Sequence, residues 1–277
     1  MTDAPSLSSP EPAPQIVDLG EHKQEKLFLA LPNYGNLRYN TVPLLSAVNG
    51  PKSFDAVFPA ELCSSLLAHC FNTLWAQALA WRPQGVTHFL MLHADVVPHE
   101  SDWLVQLHRE MVRIGAKVLS AVIPMKDTQG ITSTAIDGQP LRRFTMKGIM
   151  ALPETFTHPD LLVNTGMLLV DLREDWVEQI YFTVGDLITK AADGSYSVLA
   201  ESEDWQFSRL ARRLGVQLWA TRKVKLTHWG AHGFSNFRAW GTEAQDLELH
   251  IQELEAKLKA LDHAPRALPP ATDPPSA

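Results

Sequence analysis

The chain has 277 residues, with 24 Lys+Arg against 31 Asp+Glu for a formal charge of −7, and 45% of it is hydrophobic. That balance is ordinary for a globular protein with enough interior to fold without disulfide or metal staples. The acidic excess excludes a protein whose main task is to coat nucleic acid through a basic surface, but not a nucleic acid held locally as substrate.

Residues 1–14 are rich in Ser and Pro, with neither a basic start nor an apolar core, so they do not read as a secretory signal. No apolar run approaches the roughly 18–20 residues of a membrane-spanning helix. The two cysteines, Cys63 and Cys70, fall seven apart in a helical pattern, about 10 Å along the axis and too far for a disulfide. They read as two buried thiols in a reducing compartment, which makes the expected location cytoplasmic. Prolines crowd residues 1–14 and 265–275, where apolar periodicity is missing. Residues 1–24 and 263–277 are therefore expected as disordered tails, flanking a domain over 25–240 and an amphipathic helix over 241–262.

Taken in chain order, residues 26–31 are an apolar run closed by Pro32, Asn33, Tyr34 and Gly35, the pattern of a buried strand ending in a turn. A helix is expected over about 61–80, with Leu62, Leu66, Cys70, Leu74 and Ala78 on one stripe. Residues 87–92 read as a second buried strand, 101–114 as a helix with Ser101 as N-cap, and 117–123 as a third strand. The glycines and prolines of 124–160 predict long loops and short strands. An apolar segment over 161–172 contains Asn164, Thr165 and Gly166; it is followed by a helix over 203–214 and strands over 216–220 and 223–226. Thr242 and Gln245 form a capping-box pattern ahead of Leu247, Ile251, Leu254, Leu258 and Leu261, a seam that packs on the domain or on a second copy through 242–261. Strands alternating with amphipathic helices predict an α/β fold with a mostly parallel central sheet, which binds ligands at the carboxyl ends of its strands.

Three clusters sit at such ends. His93, Ala94 and Asp95 follow the second strand, where a carboxylate can hold a divalent cation and an imidazole can be a co-ligand or can bond a nucleotide. His228, expected just after the strand over 223–226, adds a neutral nitrogen ligand. Glu203 and Asp204 open a helix, where acids favour the dipole and where one can act as general base. Lys126, Arg142, Arg143 and Lys147 lie in loops from which they can reach phosphate. Residues 230–240 read either as a lid, with His232, Asn236 and Arg238 reaching in, or as a packed connector. Trp103, Trp205 and Trp229 are either stacking platforms or core.

The order FLMLHADVVP (89–98), LLVNTGMLLVDL (161–172), SEDWQFSRLARRLG (202–215) and VKLTHWG (224–230) resembles the nucleotide-sugar-dependent glycosyltransferases of the GT-A fold, family-2-like, over about residues 26–232. The resemblance implies a GT-A-like, Rossmann-related sheet flanked by helices. It places His93, Ala94 and Asp95 at the metal-binding Asp-x-Asp motif, with His93 departing from the usual acid. Asp95, His228 and His93 would then hold Mn²⁺ or Mg²⁺. Pro32, Asn33 and Tyr34 would bind the nucleotide, and Asn164, Thr165 and Gly166 would floor the donor site. Asp204, with Glu203 beside it, would be the base of an inverting transfer. The acceptor is left open among a glycan, a protein, a lipid-linked sugar and a modified nucleic-acid base. The rival readings are a sugar-nucleotide nucleotidyltransferase and a degenerate scaffold that only binds partners.

Overall fold

The computed structural model describes residues 24–35, 39–138, 141–190 and 193–242. The expected tails and helix, including Gln245, the leucine seam and the self-association surface over 242–261, lie outside these residues apart from positions 24, 241 and 242. The chain forms β1 (Lys26–Asn33), α1 (Thr41–Asn49), β2 (Ala56–Cys63), α2 (Leu67–Ala80), β3 (Val86–Leu92) and β4 (Val96–Pro98). It continues through α3 (Trp103–Ile114), β5 (Val118–Ala121), β6 (Ile131–Ile136), β7 (Arg142–Thr145) and α4 (Met146–Ile149). Then come β8 (Thr155–Thr157), β9 (Leu161–Leu162), β10 (Met167–Asp171), β11 (Gly185–Lys190) and β12 (Tyr196–Glu201). The last elements are α5 (Glu203–Arg213), β13 (Leu218–Thr221), β14 (Leu226–Trp229) and β15 (Gly233–Ser235). No helix among the described residues is long and apolar enough to cross a membrane.

The central sheet has seven strands in the order β2-β1-β3-β10-β5-β13-β8. β2, β1, β3, β5 and β13 run one way, while β10 and β8 run against their neighbours. The sheet is thus mixed rather than simply parallel. β10 follows β9, a strand of the separate β7-β6-β9 sheet, after four residues. It enters beside the carboxyl end of β3, with Met167 opposite Leu92.

Side chains alternate across the strands, and both faces are covered. Phe28, Ala30, Phe89, Met91, Leu168 and Val170 pack with Cys70, Phe71, Leu74 and Trp75 of α2 and Phe207 of α5. Leu27, Leu29, Leu90, Leu92, Leu119 and Leu169 pack on the other face with Trp103, Leu104 and Leu107 of α3. Two-sided burial explains why the central strands read as unbroken apolar runs. Each fully buried Leu or Phe contributes roughly 1.5–3 kcal/mol.

The edges of the sheet depart from expectation. Residues 61–63 belong to β2, and the helix expected from 61 starts at Leu67, so Leu62 is not on its stripe and Leu66 is exposed. β2 lies at an edge and alternates between partial and full exposure, so Ala56–Cys63 carries only a weak strand pattern. Cys63 is consequently exposed, not a second buried thiol. The helix expected from 101 begins at Trp103, and its N-cap is Asp102, without a side-chain cap bond.

A smaller sheet, β15-β14-β4, is decisive for the site. Asn236, fully buried, ties it to the central sheet: its Nδ2 donates to Val122 O and Val224 O, each at 3.1 Å, and its Oδ1 accepts from Leu226 N at 2.9 Å. Asn236→Ala leaves three buried backbone groups unpaired. It should destabilise the fold by about 2–4 kcal/mol, read by denaturant unfolding; a change within about 0.5 kcal/mol would mean that water replaces the amide.

Candidate functional site

β4 and β14 pair antiparallel with Leu226 opposite Pro98, Thr227 opposite Val97 and His228 opposite Val96. The ladder continues as Trp229 N donates to Asp95 O at 2.8 Å. This register carries His228 to the turn that follows β3, and His228 Nε2 lies 3.6 Å from Asp95 Oδ1. His228 is therefore inside β14 rather than after a strand over 223–226, which is where it was expected. Its Nδ1 bonds Pro124 O at 2.8 Å; a carbonyl only accepts, so Nδ1 carries the proton and Nε2 faces the carboxylate.

Lys126, from the loop beyond β5, forms an ion pair with Asp95 Oδ2. Burial alone raises the Asp95 pKa, but the His228 imidazole and the Lys126 ammonium hold it well below the usual carboxylate range. Asp95 is ionised, and its Oδ1 is a buried acceptor without a hydrogen bond. His93, two residues earlier, is turned onto Phe71 with ring centroids 5.1 Å apart. Burial pulls its pKa down to about 4, so the ring is neutral near pH 7, and its Nε2 has no hydrogen-bond partner. The turn is held by backbone bonds: His93 N donates to Gly166 O at 2.9 Å, Asn40 Nδ2 to His93 O at 3.1 Å, and Tyr39 N to Ala94 O at 2.9 Å. The Tyr39 ring stacks on Trp229 at 5.7 Å and 15°, and both rings are partly exposed. Tyr39, which precedes α1, carries no sequence signal.

Asp204 is brought to the same end of the sheet but is buried. Its Oδ2 accepts from Asn164 Nδ2 at 3.0 Å, and its Oδ1 accepts from Thr165 N at 3.1 Å and from Thr165 Oγ1. Asn164 Oδ1 accepts from Gly166 N at 2.5 Å. The polar side-chain atoms of Asn164 and Thr165 are thus engaged with Asp204 and with the turn itself. A side chain at Gly166 would meet Asn164 Oδ1 and Ile123 Cδ1 at 2.7 Å, so a larger residue would force those side chains to shift. Burial and the adjacent Glu203 carboxylate push the Asp204 pKa up to about 7, against the pull of Thr165 and Arg143. Glu203 is half-buried, and burial raises its pKa too. Its own backbone N–H pulls the other way, and among the described residues no side chain pairs with its carboxylate.

Other expected site residues separate in the same way. Pro32 and Asn33 end β1; Asn33 is buried and donates to Glu61 Oε1 at 3.1 Å, while Tyr34 is exposed. The Arg143 guanidinium lies 4.2 Å over Trp205 and bonds Thr132 O, whereas Lys147 is exposed. Trp103 and Trp205 are core, donating to Pro43 O and Ser133 O. Of the residues expected to reach in from 230–240, Asn236 is a buried connector, while His232 and Arg238 are exposed.

A cation on this site would find one ionised carboxylate oxygen without a hydrogen bond and one imidazole nitrogen facing it, a mixed set suited to a borderline divalent ion. The ligand atoms of Asp95, His228 and His93 do not all lie within 4.8 Å of one another. Among the described residues, the group of three whose ligand atoms all lie within 4.8 Å of one another is Glu25, His88 and His108.

No family model matches the chain, and no curated protein matches it. Among solved structures, the chain is similar to A197 from STIV with a TM-score of 0.51 and 14% identity, over 79% of this chain and 95% of that one. It also aligns with an apo-UDP-glucose pyrophosphorylase at a TM-score of 0.34 and 10% identity, over 84% and 82%. The first likeness is one of fold.

The raised Asp204 pKa has a sign that can be checked. The folded state holds this proton more tightly than the unfolded chain, whose value is near 3.8. Its contribution is therefore complete below about pH 4 and is lost as pH rises toward about 7. Wild type should lose stability relative to Asp204→Asn between those limits, read by thermal unfolding across pH; a pH-independent difference would assign Asp204 an ordinary pKa.

Proposed function

We propose that the chain is a nucleotide-sugar-dependent glycosyltransferase of GT-A type. The observation that carries this reading is the convergence of Asp95, His228 and Lys126 at the carboxyl end of β3. The order of the seven central strands, with β10 inserted between β3 and β5, supports the fold part of the reading. The crevice at such strand ends is where α/β sheets bind phosphate-bearing ligands.

A divalent cation, Mn²⁺ or Mg²⁺, would be held by Asp95 and His228 and would stabilise negative charge on the departing diphosphate. The chain's own groups do the rest. Lys126 puts an ammonium beside the same oxygens, where charge-assisted bonds to phosphate are strong. The Tyr39–Trp229 pair gives a half-open aromatic face at the rim, suited to a nucleotide base or a sugar ring. Acceptor activation falls to Glu203 rather than Asp204. Asp204 accepts three hydrogen bonds and fixes the start of α5, while Glu203 has a carboxylate free to take a proton. Its raised pKa makes it a better base near neutral pH than an ordinary carboxylate. In this reading an acceptor hydroxyl that gives its proton to Glu203 displaces the nucleoside diphosphate in one step, with inversion at the anomeric carbon.

Incubation with a panel of nucleotide sugars, with and without Mn²⁺, should release a nucleoside diphosphate from at least one of them. Pyrophosphate release from a nucleoside triphosphate and a sugar phosphate would instead favour nucleotidyl transfer. Neither turnover nor binding would leave a scaffold. Asp95→Ala should weaken donor binding at least tenfold. Glu203→Gln should lower kcat by about 10²-fold or more with donor affinity retained, measured by steady-state kinetics; an unchanged kcat would remove Glu203 from the reaction.

A further inference from the structure

At the opposite end of the central strands lies a second cluster of ligating side chains that the proposed transfer does not use. Glu25 immediately precedes β1, His88 lies near the start of β3 opposite Leu27, and His108 is on α3. Asp95 follows the far end of β3, so four residues of extended strand, about 13 Å, separate His88 from Leu92 alone. The ligand atoms of Glu25, His88 and His108 lie within 4.8 Å of one another. We infer that these three side chains form a binding site for a zinc-class divalent cation.

Three observations carry this. First, both imidazoles are buried, and each has one nitrogen already engaged. His88 Nδ1 bonds Thr87 Oγ1 at 2.9 Å, and the Ser53 backbone takes a hydrogen bond from the His108 ring. Ligating histidines are oriented in this way through the nitrogen that does not bind the metal. Second, His108 Nε2 is buried and makes no hydrogen bond, although it lies 3.1 Å from Glu25 Oε2. Two ligands on one zinc ion with bonds of 2.0–2.1 Å sit about 3.3 Å apart at tetrahedral angles. Third, the surroundings fix the cluster. Phe54 stacks on His108 at 4.2 Å and meets His88 edge-on at 5.2 Å, and Asp55 N donates to Glu25 O at 2.8 Å. Arg173 bonds Glu25 Oε1 at 3.0 Å, which holds the carboxylate in place and leaves Oε2 toward the histidines.

The set of two histidines and one glutamate matches zinc better than Mg²⁺ or Ca²⁺, which take oxygen ligands. Three protein ligands leave one position for water. Joining the entry to β1, the start of β3 and α3, the ion would stabilise the fold and leave the Asp95 pocket untouched.

The test is titration of the full-length, chelator-stripped chain with Zn²⁺, followed by calorimetry and thermal unfolding. Wild type should bind an equivalent that raises Tm by several degrees, and Co²⁺ in its place should give the visible spectrum of a four-coordinate N/O site. Glu25→Gln and His108→Gln should each lose that equivalent, while Asp95→Asn keeps it. Should His108→Gln fail to fold, Glu25→Gln, at a partly exposed position, decides alone. Absence of Zn²⁺ binding, or an equivalent that survives Glu25→Gln and disappears with Asp95→Asn, would overturn the site.

Discussion

The pairing of β4 with β14 is the constraint on which the candidate site rests. Neither strand belongs to the central sheet, yet their register sets His228 opposite Val96 and brings an imidazole to 3.6 Å from the Asp95 carboxylate. A slip of one residue would turn His228 to the other face of the small sheet and empty the pocket of its nitrogen. Asn236 guards against this by bonding the segments that lead into β14 and out of β5 at the same time. The site's electrostatics follow from the same contact. An aspartate between an imidazole and an ammonium stays ionised in a partly buried place, a condition for binding a cation or placing charge beside a phosphate.

The acids at the start of α5 divide differently from a simple pair. Asp204 is enclosed by three donors from Asn164 and Thr165, and the same turn reaches the Asp95 loop when Gly166 O accepts from His93 N. One buried carboxylate thus couples the start of α5 to the end of β3. Glu203, beside it, shares that fixed start of α5.

The middle of the fold was legible in the amino-acid sequence because burial on both faces writes long apolar runs into β3, β5 and β10. The edge was not. Residues 56–63 contain Pro59 and alternate only weakly, so an edge strand was read as the start of a helix. Asp95 was legible as a carboxylate directly after a buried strand, and His228 as a nitrogen ligand expected at another strand end; the contact between them was not, since β4 and β14 are too short to announce a register. Asn164 and Thr165 stood out because polar residues interrupt an apolar segment there, but spacing does not show that Asp204 of a neighbouring helix accepts their hydrogen bonds. Glu25, His88 and His108 gave no pattern, because their meeting depends on three elements packing at one end of the sheet.

The most direct measurement on the shared pocket is a double-mutant cycle of Asp95→Ala and His228→Ala, read as the dissociation constant of the best-bound nucleoside diphosphate with Mn²⁺ present. Two side chains acting on one pyrophosphate should show a coupling of about 1 kcal/mol or more. Losses that simply add, within about 0.3 kcal/mol, or the absence of binding by every nucleoside diphosphate tried, would contradict a common pocket.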